Sequence, residues 1–145
     1  MKNEIVKEII VKAKRDKVYN AIADPKQIIN WFPDAVEEAG FEPGERPFLR
    51  FGDFKTRIYI EAAKPFEYFA YRWVPGGVAV TGDVLKQTNT LVEFFIDETT
   101  DGTKVTLKES GFAKLPAESA KAALDMMQDG WTGMMGKLEN TLNQG

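Results

Sequence analysis

Residues 116–142 read PAESAKAALDMMQDGWTGMMGKLENTL. Ala120, Leu124, Met127, Trp131, Met134, Leu138 and Leu142 recur there at spacings of four and three, the period of one helix face. Pro116 suits the start of such a helix. The stretch predicts one long amphipathic helix whose apolar stripe needs a sheet to cover it.

That sheet is legible upstream, where the period is two. Residues 103–109 (TKVTLKE) set Val105 and Leu107 opposite Lys104, Thr106 and Lys108. Residues 89–97 (NTLVEFFID) set Val92, Phe94 and Ile96 opposite Glu93, and Asp101-Gly102 marks the turn between the two runs. Residues 66–74 (FEYFAYRWV) put Phe69, Tyr71 and Trp73 on one face, and residues 55–64 (KTRIYIEAAK) alternate Ile58, Ile60 and Ala62 against Arg57, Tyr59 and Glu61. One wet and one dry face per strand describes an antiparallel sheet. Residues 35–42 and 47–53 are weaker strands around a turn at Pro43-Gly44. Residues 75–88 (PGGVAVTGDVLKQT) read as a long loop carrying a short hairpin.

The first quarter is different. Residues 4–13 (EIVKEIIVKA) are rich in β-branched side chains and read as a strand. Residues 15–23 place Val18, Ala21 and Ile22 on one helical face. Asp24 then caps a second short helix, Pro25 to about Asn30, which Pro33 stops soon after Trp31-Phe32. The fold class is α+β, and at 145 residues without internal repeats or linkers the whole chain, 1–145, reads as one domain.

Composition limits the chemistry. The chain has no Cys and no His, which removes thiolate nucleophiles, the Ser-His-Asp triad and Cys- or His-ligated metals. Carboxylates, Lys, Arg, Tyr, Ser110 and Ser119 remain. No carboxylate cluster has metal-site spacing, no glycine-rich phosphate loop exists, and no metal or cofactor is implied. Nineteen Lys and Arg against 22 Asp and Glu give a net charge of −3, which argues against an extended nucleic-acid surface. No apolar run approaches the ~20 residues of a membrane span. The N-terminus, Met1-Lys2-Asn3-Glu4, lacks a signal-peptide core, so a cytoplasmic location is expected.

Several side chains carry more than one reading. Glu109 falls by alternation on the dry face with Val105 and Leu107. It would be a ligand anchor or a general acid–base there, or else a strand-end group turned to solvent or paired with Arg. Tyr71 and Trp73 have apolar bodies with one polar atom, suited to orienting a ligand or to filling core. Met126, Met127, Met134 and Met135 share the long helix with Gly130, Gly133 and Gly136. Flexible methionines suit an adaptable apolar wall, although ordinary core would also use them. Mid-helix glycines cost about 1 kcal/mol each relative to Ala, so they call for close packing on the sheet or for space over a cavity.

The succession Asp24-Pro25, Trp31-Phe32, Arg72-Trp73, Leu91-Val92-Glu93-Phe94, Gly102-Thr103, Glu109-Ser110-Gly111-Phe112, Leu115-Pro116 and Gly130-Trp131 resembles one group of proteins. It is similar to the activator of heat-shock-protein-90 ATPase homologues of the SRPBCC superfamily, whose START-like relatives include polyketide cyclase/aromatases and the birch-pollen allergen. The resemblance implies the helix-grip fold: about seven curved antiparallel strands, two short helices, and a long C-terminal helix over a cavity. It implies binding of a small apolar or amphipathic ligand there, as relatives bind lipids, hormones or polyketides. The expected pocket is Trp31 at the mouth, with Phe51, Tyr71, Trp73, Glu109, Met127, Trp131 and Met134 on the walls. An enzyme of the cyclase/aromatase or hydrolase type is the alternative, with Glu109 and Tyr71 as its catalytic pair. A co-chaperone-like interaction module is another, although the chain starts directly with the first strand and leaves no place for the separate chaperone-contacting domain of eukaryotic relatives. A homodimer through an edge strand or the helix face is the remaining partner expectation. Gly76 to Lys86 is longer than the connection typical of many members.

Overall fold

Strand β1 (Glu4–Val11) pairs antiparallel along its whole length with the last strand, so the first and last strands are neighbours. Two helices follow, α1 (Arg15–Ala23) and α2 (Pro25–Ile28). Asp24 accepts a hydrogen bond from the Lys26 N–H at 2.9 Å, with Pro25 at the first helical position, as the cap signal requires. The remaining strands are β2 (Ala35–Glu37), β3 (Phe48–Phe51), β4 (Phe54–Arg57), β5 (Tyr59–Lys64), β6 (Tyr68–Trp73), β7 (Thr90–Thr99) and β8 (Gly102–Ser110), before the closing helix α3 (Ala117–Gln144). These elements come from a computed structural model that describes residues 3–144. Met1 and Lys2, part of the charged N-terminus noted above, lie outside the described residues.

The ladder runs β1-β8-β7-β6-β5, with β2-β3-β4 beside it. The single strand expected over 55–64 is interrupted at Ile58, giving β4 and β5. The break is a bend in a continuous surface. Ile58 and Ile60 donate to the Pro47 and Glu45 carbonyls at 3.0 Å, and Gly44 donates to Ile60 at 2.9 Å. Counted as one bent strand, β4 and β5 make the expected seven; counted separately they make eight. The long helix α3 lies against β1.

The turn between β7 and β8 sits at Thr100-Asp101, and Gly102 is required just after it. A Cβ there would lie 2.0 Å from the Val11 carbonyl oxygen, so close approach of β1 excludes any side chain. Residues 75–88 carry no hairpin. Val80 instead bridges to β4, accepting from Arg57 N–H at 2.8 Å and donating to the Thr56 hydroxyl at 3.2 Å. A single 3₁₀ turn, Val84–Lys86, follows, capped by Asp83. Val80 and Val84 are buried, so tertiary contacts rather than a local turn hold this segment.

The apolar faces of both partners meet as the periods require. Val92, Phe94, Val105 and Leu107 from the sheet and Leu124, Trp131, Leu138 and Leu142 from α3 are buried together. No described helix is long and apolar enough to cross a membrane.

Candidate functional site

Alternation on β8 carries Glu109 inward, and it is 0% exposed. Neither solvent nor an arginine receives it. Its Oε2 accepts from the Trp73 indole N–H at 2.9 Å and from the Thr90 hydroxyl at 2.6 Å, and its Oε1 accepts from the Trp131 indole N–H at 2.7 Å. The donors come from β6, β7 and α3, so one carboxylate ties three elements together. Burial pushes its pKa above the ordinary value of 4.5, and the three donors pull against that rise. Tyr71 sits beside Trp73, ring centroids 5.2 Å apart and edge-on. Its hydroxyl is buried without a partner, and burial pushes the phenol well above 10. Glu109 and Tyr71 share no hydrogen bond, so the expected acid–base pair is not assembled as a pair.

On the other side of those indoles lies an apolar cavity of about 400 Å³ between the sheet and α3. Phe51 and Phe54 reach it from the β3–β4 hairpin, Trp73 from the end of β6, and Met127, Trp131 and Met134 from α3. Val74, Pro75, Gly76 and Gly77 close one side as a strap over the helix. Gly76 takes φ +92°, and a Cβ on it would crowd the Ala123 methyl at 3.3 Å. No charged side chain lines the cavity, and the one aliphatic hydroxyl, of Thr56, is engaged by Val80.

Five of the eight expected pocket residues therefore line this cavity: Phe51, Trp73, Met127, Trp131 and Met134. Three do not. Trp31 is not at the mouth; it is 2% exposed and its indole donates to the Ala21 carbonyl at 2.9 Å, which turns it into the core under α1. Tyr71 and Glu109 stand behind the wall rather than on it. The place assigned to Trp31 belongs to Phe32, whose ring lies 5.1 Å from Trp131, 5.3 Å from Phe51 and 5.9 Å from Trp73. The two adjacent rings stack on each other, centroids 5.4 Å apart, and only Phe32 lines the cavity; neither period distinguishes which of them reaches it. The 74–77 strap was also missed, because irregular backbone has no periodic signature; Phe54, at the start of β4, and Met126, off the apolar stripe of α3, line the cavity as well. The helix glycines do not pack closely on the sheet: a Cβ on Gly130, Gly133 or Gly136 would meet nothing within 4 Å, and Gly130 borders the cavity.

The sequence model of the activator of Hsp90 ATPase homolog 1-like family matches residues 12–143. The chain belongs to this family. Solved structures of the same fold include a Mesorhizobium loti protein, MLL2253, with a TM-score of 0.78 at 20% identity, covering 97% of each chain. The Aha1 dimer from Colwellia psychrerythraea superimposes with a TM-score of 0.76 at 16% identity, over 97% of this chain and 96% of that one. DynU16, from the dynemicin biosynthetic locus, gives 0.78 at 21% identity; this chain is covered to 98% but spans only 48% of DynU16. No curated protein matches the sequence. These identities establish the fold of this family member, with the helix gripped by the sheet.

Proposed function

We propose that the protein binds a small apolar or amphipathic molecule in the cavity between the curved sheet and α3. The carrying observation is the cavity itself: about 400 Å³, walled by aromatic rings and methionines and free of charged side chains. Its size and lining fall within the range of small-molecule sites. Three methionines, Met126, Met127 and Met134, supply a wall that reshapes around different occupants. Glu109 and Tyr71 lie outside this wall, so the catalytic alternative lacks a group in reach of the ligand, and binding without reaction is the reading supported best.

The test is native mass spectrometry of freshly purified protein, followed by thermal-shift titration with neutral aromatic compounds, sterols and fatty acids. A co-purified small molecule is expected. A ligand at 100 times its dissociation constant should add about 2.7 kcal/mol of stability. Gly130→Leu, which adds a side chain at the cavity's border, should abolish the shift while leaving the protein folded. An unliganded native spectrum with no stabilising compound would remove the proposal.

A second reading concerns association. Val6 and Ile10, 52% and 54% exposed, lie on β1 at the open edge of the ladder. Exposed apolar side chains on an edge strand favour pairing with a second copy. The Colwellia psychrerythraea relative was solved as a dimer. Sedimentation equilibrium should find a dimer that Val6→Lys disperses; a monomer at every concentration would exclude it.

A further inference from the structure

Trp73 and Trp131 each do two things at once. Their rings face the cavity together with Phe32 and Phe51, and their N–H groups hold the Glu109 carboxylate behind it. Every group in hydrogen-bond contact with that carboxylate donates to it, and indoles can only donate. Among the described residues no Lys or Arg pairs with Glu109. Its neighbours across the ladder, Ile5 and Val92, are apolar. The cavity thus has aromatic rings on its wall and a buried carboxyl group without a counter-charge one indole away.

We propose that this cavity selects lipophilic cations, amines or quaternary ammonium groups on an apolar body, over neutral and anionic molecules of the same shape. The inference rests on the ligand-binding reading above and names the ligand's charge. A cation in the cavity lies against an aromatic wall in which Phe32 and Phe51 are partly exposed and the two indoles are buried, and it supplies the charge that Glu109 lacks. Hydrogen bonding to an anion also enriches the indole rings in electron density, which strengthens their hold on a cation. Glu109 and both indoles are buried, so the attraction between them and the cation is little screened. An anion would meet the same rings and the same carboxylate as repulsion, with no cationic side chain on the wall to receive it.

The proton on Glu109 gives an independent readout. Burial raises its pKa, so acidification neutralises it sooner than a free carboxylate. Tyr71 is the other titratable side chain here, and its phenol is held well above 10. Trp73, Thr90, Trp131, Ile5 and Val92, which surround the carboxylate from β6, β7, α3 and β1, do not titrate. A quaternary ammonium keeps its charge at every pH, so an affinity that rises with pH reports Glu109.

The experiment titrates the full chain with three probes that share a benzyl body: benzyltrimethylammonium, its uncharged isostere neopentylbenzene, and phenylmethanesulfonate. Tryptophan fluorescence and calorimetry follow binding at about pH 8 and about pH 5. The cation should bind about tenfold more tightly than the hydrocarbon at the higher pH, and the sulfonate most weakly. The cation's advantage should shrink at the lower pH, and Glu109→Gln should reduce it to about threefold or less and remove its pH dependence. Should that variant not fold, the order of the three probes at the two pH values on the native protein decides alone. Hydrocarbon bound as tightly as the cation at both pH values overturns the charge selection and leaves the cavity reading standing. No binding by any probe up to its solubility limit overturns both.

Discussion

Glu109 shows how far a single residue can be read before the chain is folded. Alternation along β8 places it inward, and that much follows from Val105 and Leu107 alone. Its partners cannot be read this way: Trp73 lies 36 residues before it and Trp131 lies 22 after it. Glu109→Ala would leave two indole N–H groups and the Thr90 hydroxyl buried without an acceptor. It should cost about 3–5 kcal/mol in urea denaturation, with Glu109→Gln costing less because one oxygen remains to accept. The pH dependence has a definite sign. The folded protein holds the Glu109 proton more tightly than the unfolded chain, whose carboxyl keeps the ordinary 4.5. The stabilisation from that proton is complete below 4.5 and is lost as the pH rises through the higher folded value. The stability of the native protein relative to Glu109→Gln should therefore fall over that window, and a flat difference in denaturation midpoints would contradict the burial cost. Tyr71 behaves oppositely to a buried anchor. Its hydroxyl has no partner, so Tyr71→Phe should leave stability unchanged or raise it by up to about 1 kcal/mol. A loss larger than that would mean that the phenol is satisfied.

At the scale of elements, the long helix was legible because its stripe persists from Ala120 to Leu142, about six turns, and its burial pattern follows. The stripe nevertheless divides in two. Leu124, Trp131, Leu138 and Leu142 are fully packed, while Met127 and Met134 are half-buried on the cavity. The three glycines on the same helix stand over open space. Gly133→Ala removes the backbone entropy cost of a helical glycine without meeting a neighbour. It should stabilise the protein by about 0.5–1 kcal/mol, read as a rise of about 2–4 °C in Tm. The strand over 55–64 shows the opposite limit. Its period is continuous through Ile58, yet the sheet bends there, because the segment must pair with residues 44–51 on one side and with β6 on the other. Bending is a property of the paired surface and has no mark in one strand's alternation.

At the scale of the molecule, a sheet wrapped around a helix leaves a gap wherever the two curvatures differ. Here the gap lies between the β3–β4 hairpin, the end of β6 and the middle of α3. Phe32 is the whole-molecule surprise in its wall. It reaches four aromatic rings from the connection after α2, among them that of its neighbour Trp31, for which it was passed over. Phe32→Ala should enlarge the cavity. It should cost about 2–4 kcal/mol, somewhat less than a fully buried phenylalanine, and should shift uptake toward bulkier probes in the thermal-shift series. Unchanged stability would show that the ring is not part of the packed wall.

The sequence by itself determined the order and type of nearly every element, the inward face of each strand, the stripe on α3 and the inward register of Glu109. These are local properties, set by the period of the backbone and by which side of it is apolar. Tertiary structure alone decided the bend at Ile58, the strap over α3, the choice of Phe32 over Trp31 and the meeting of two indoles on one carboxylate. Each of these depends on segments far apart in the chain competing for the same space, and periodicity carries no information about such meetings.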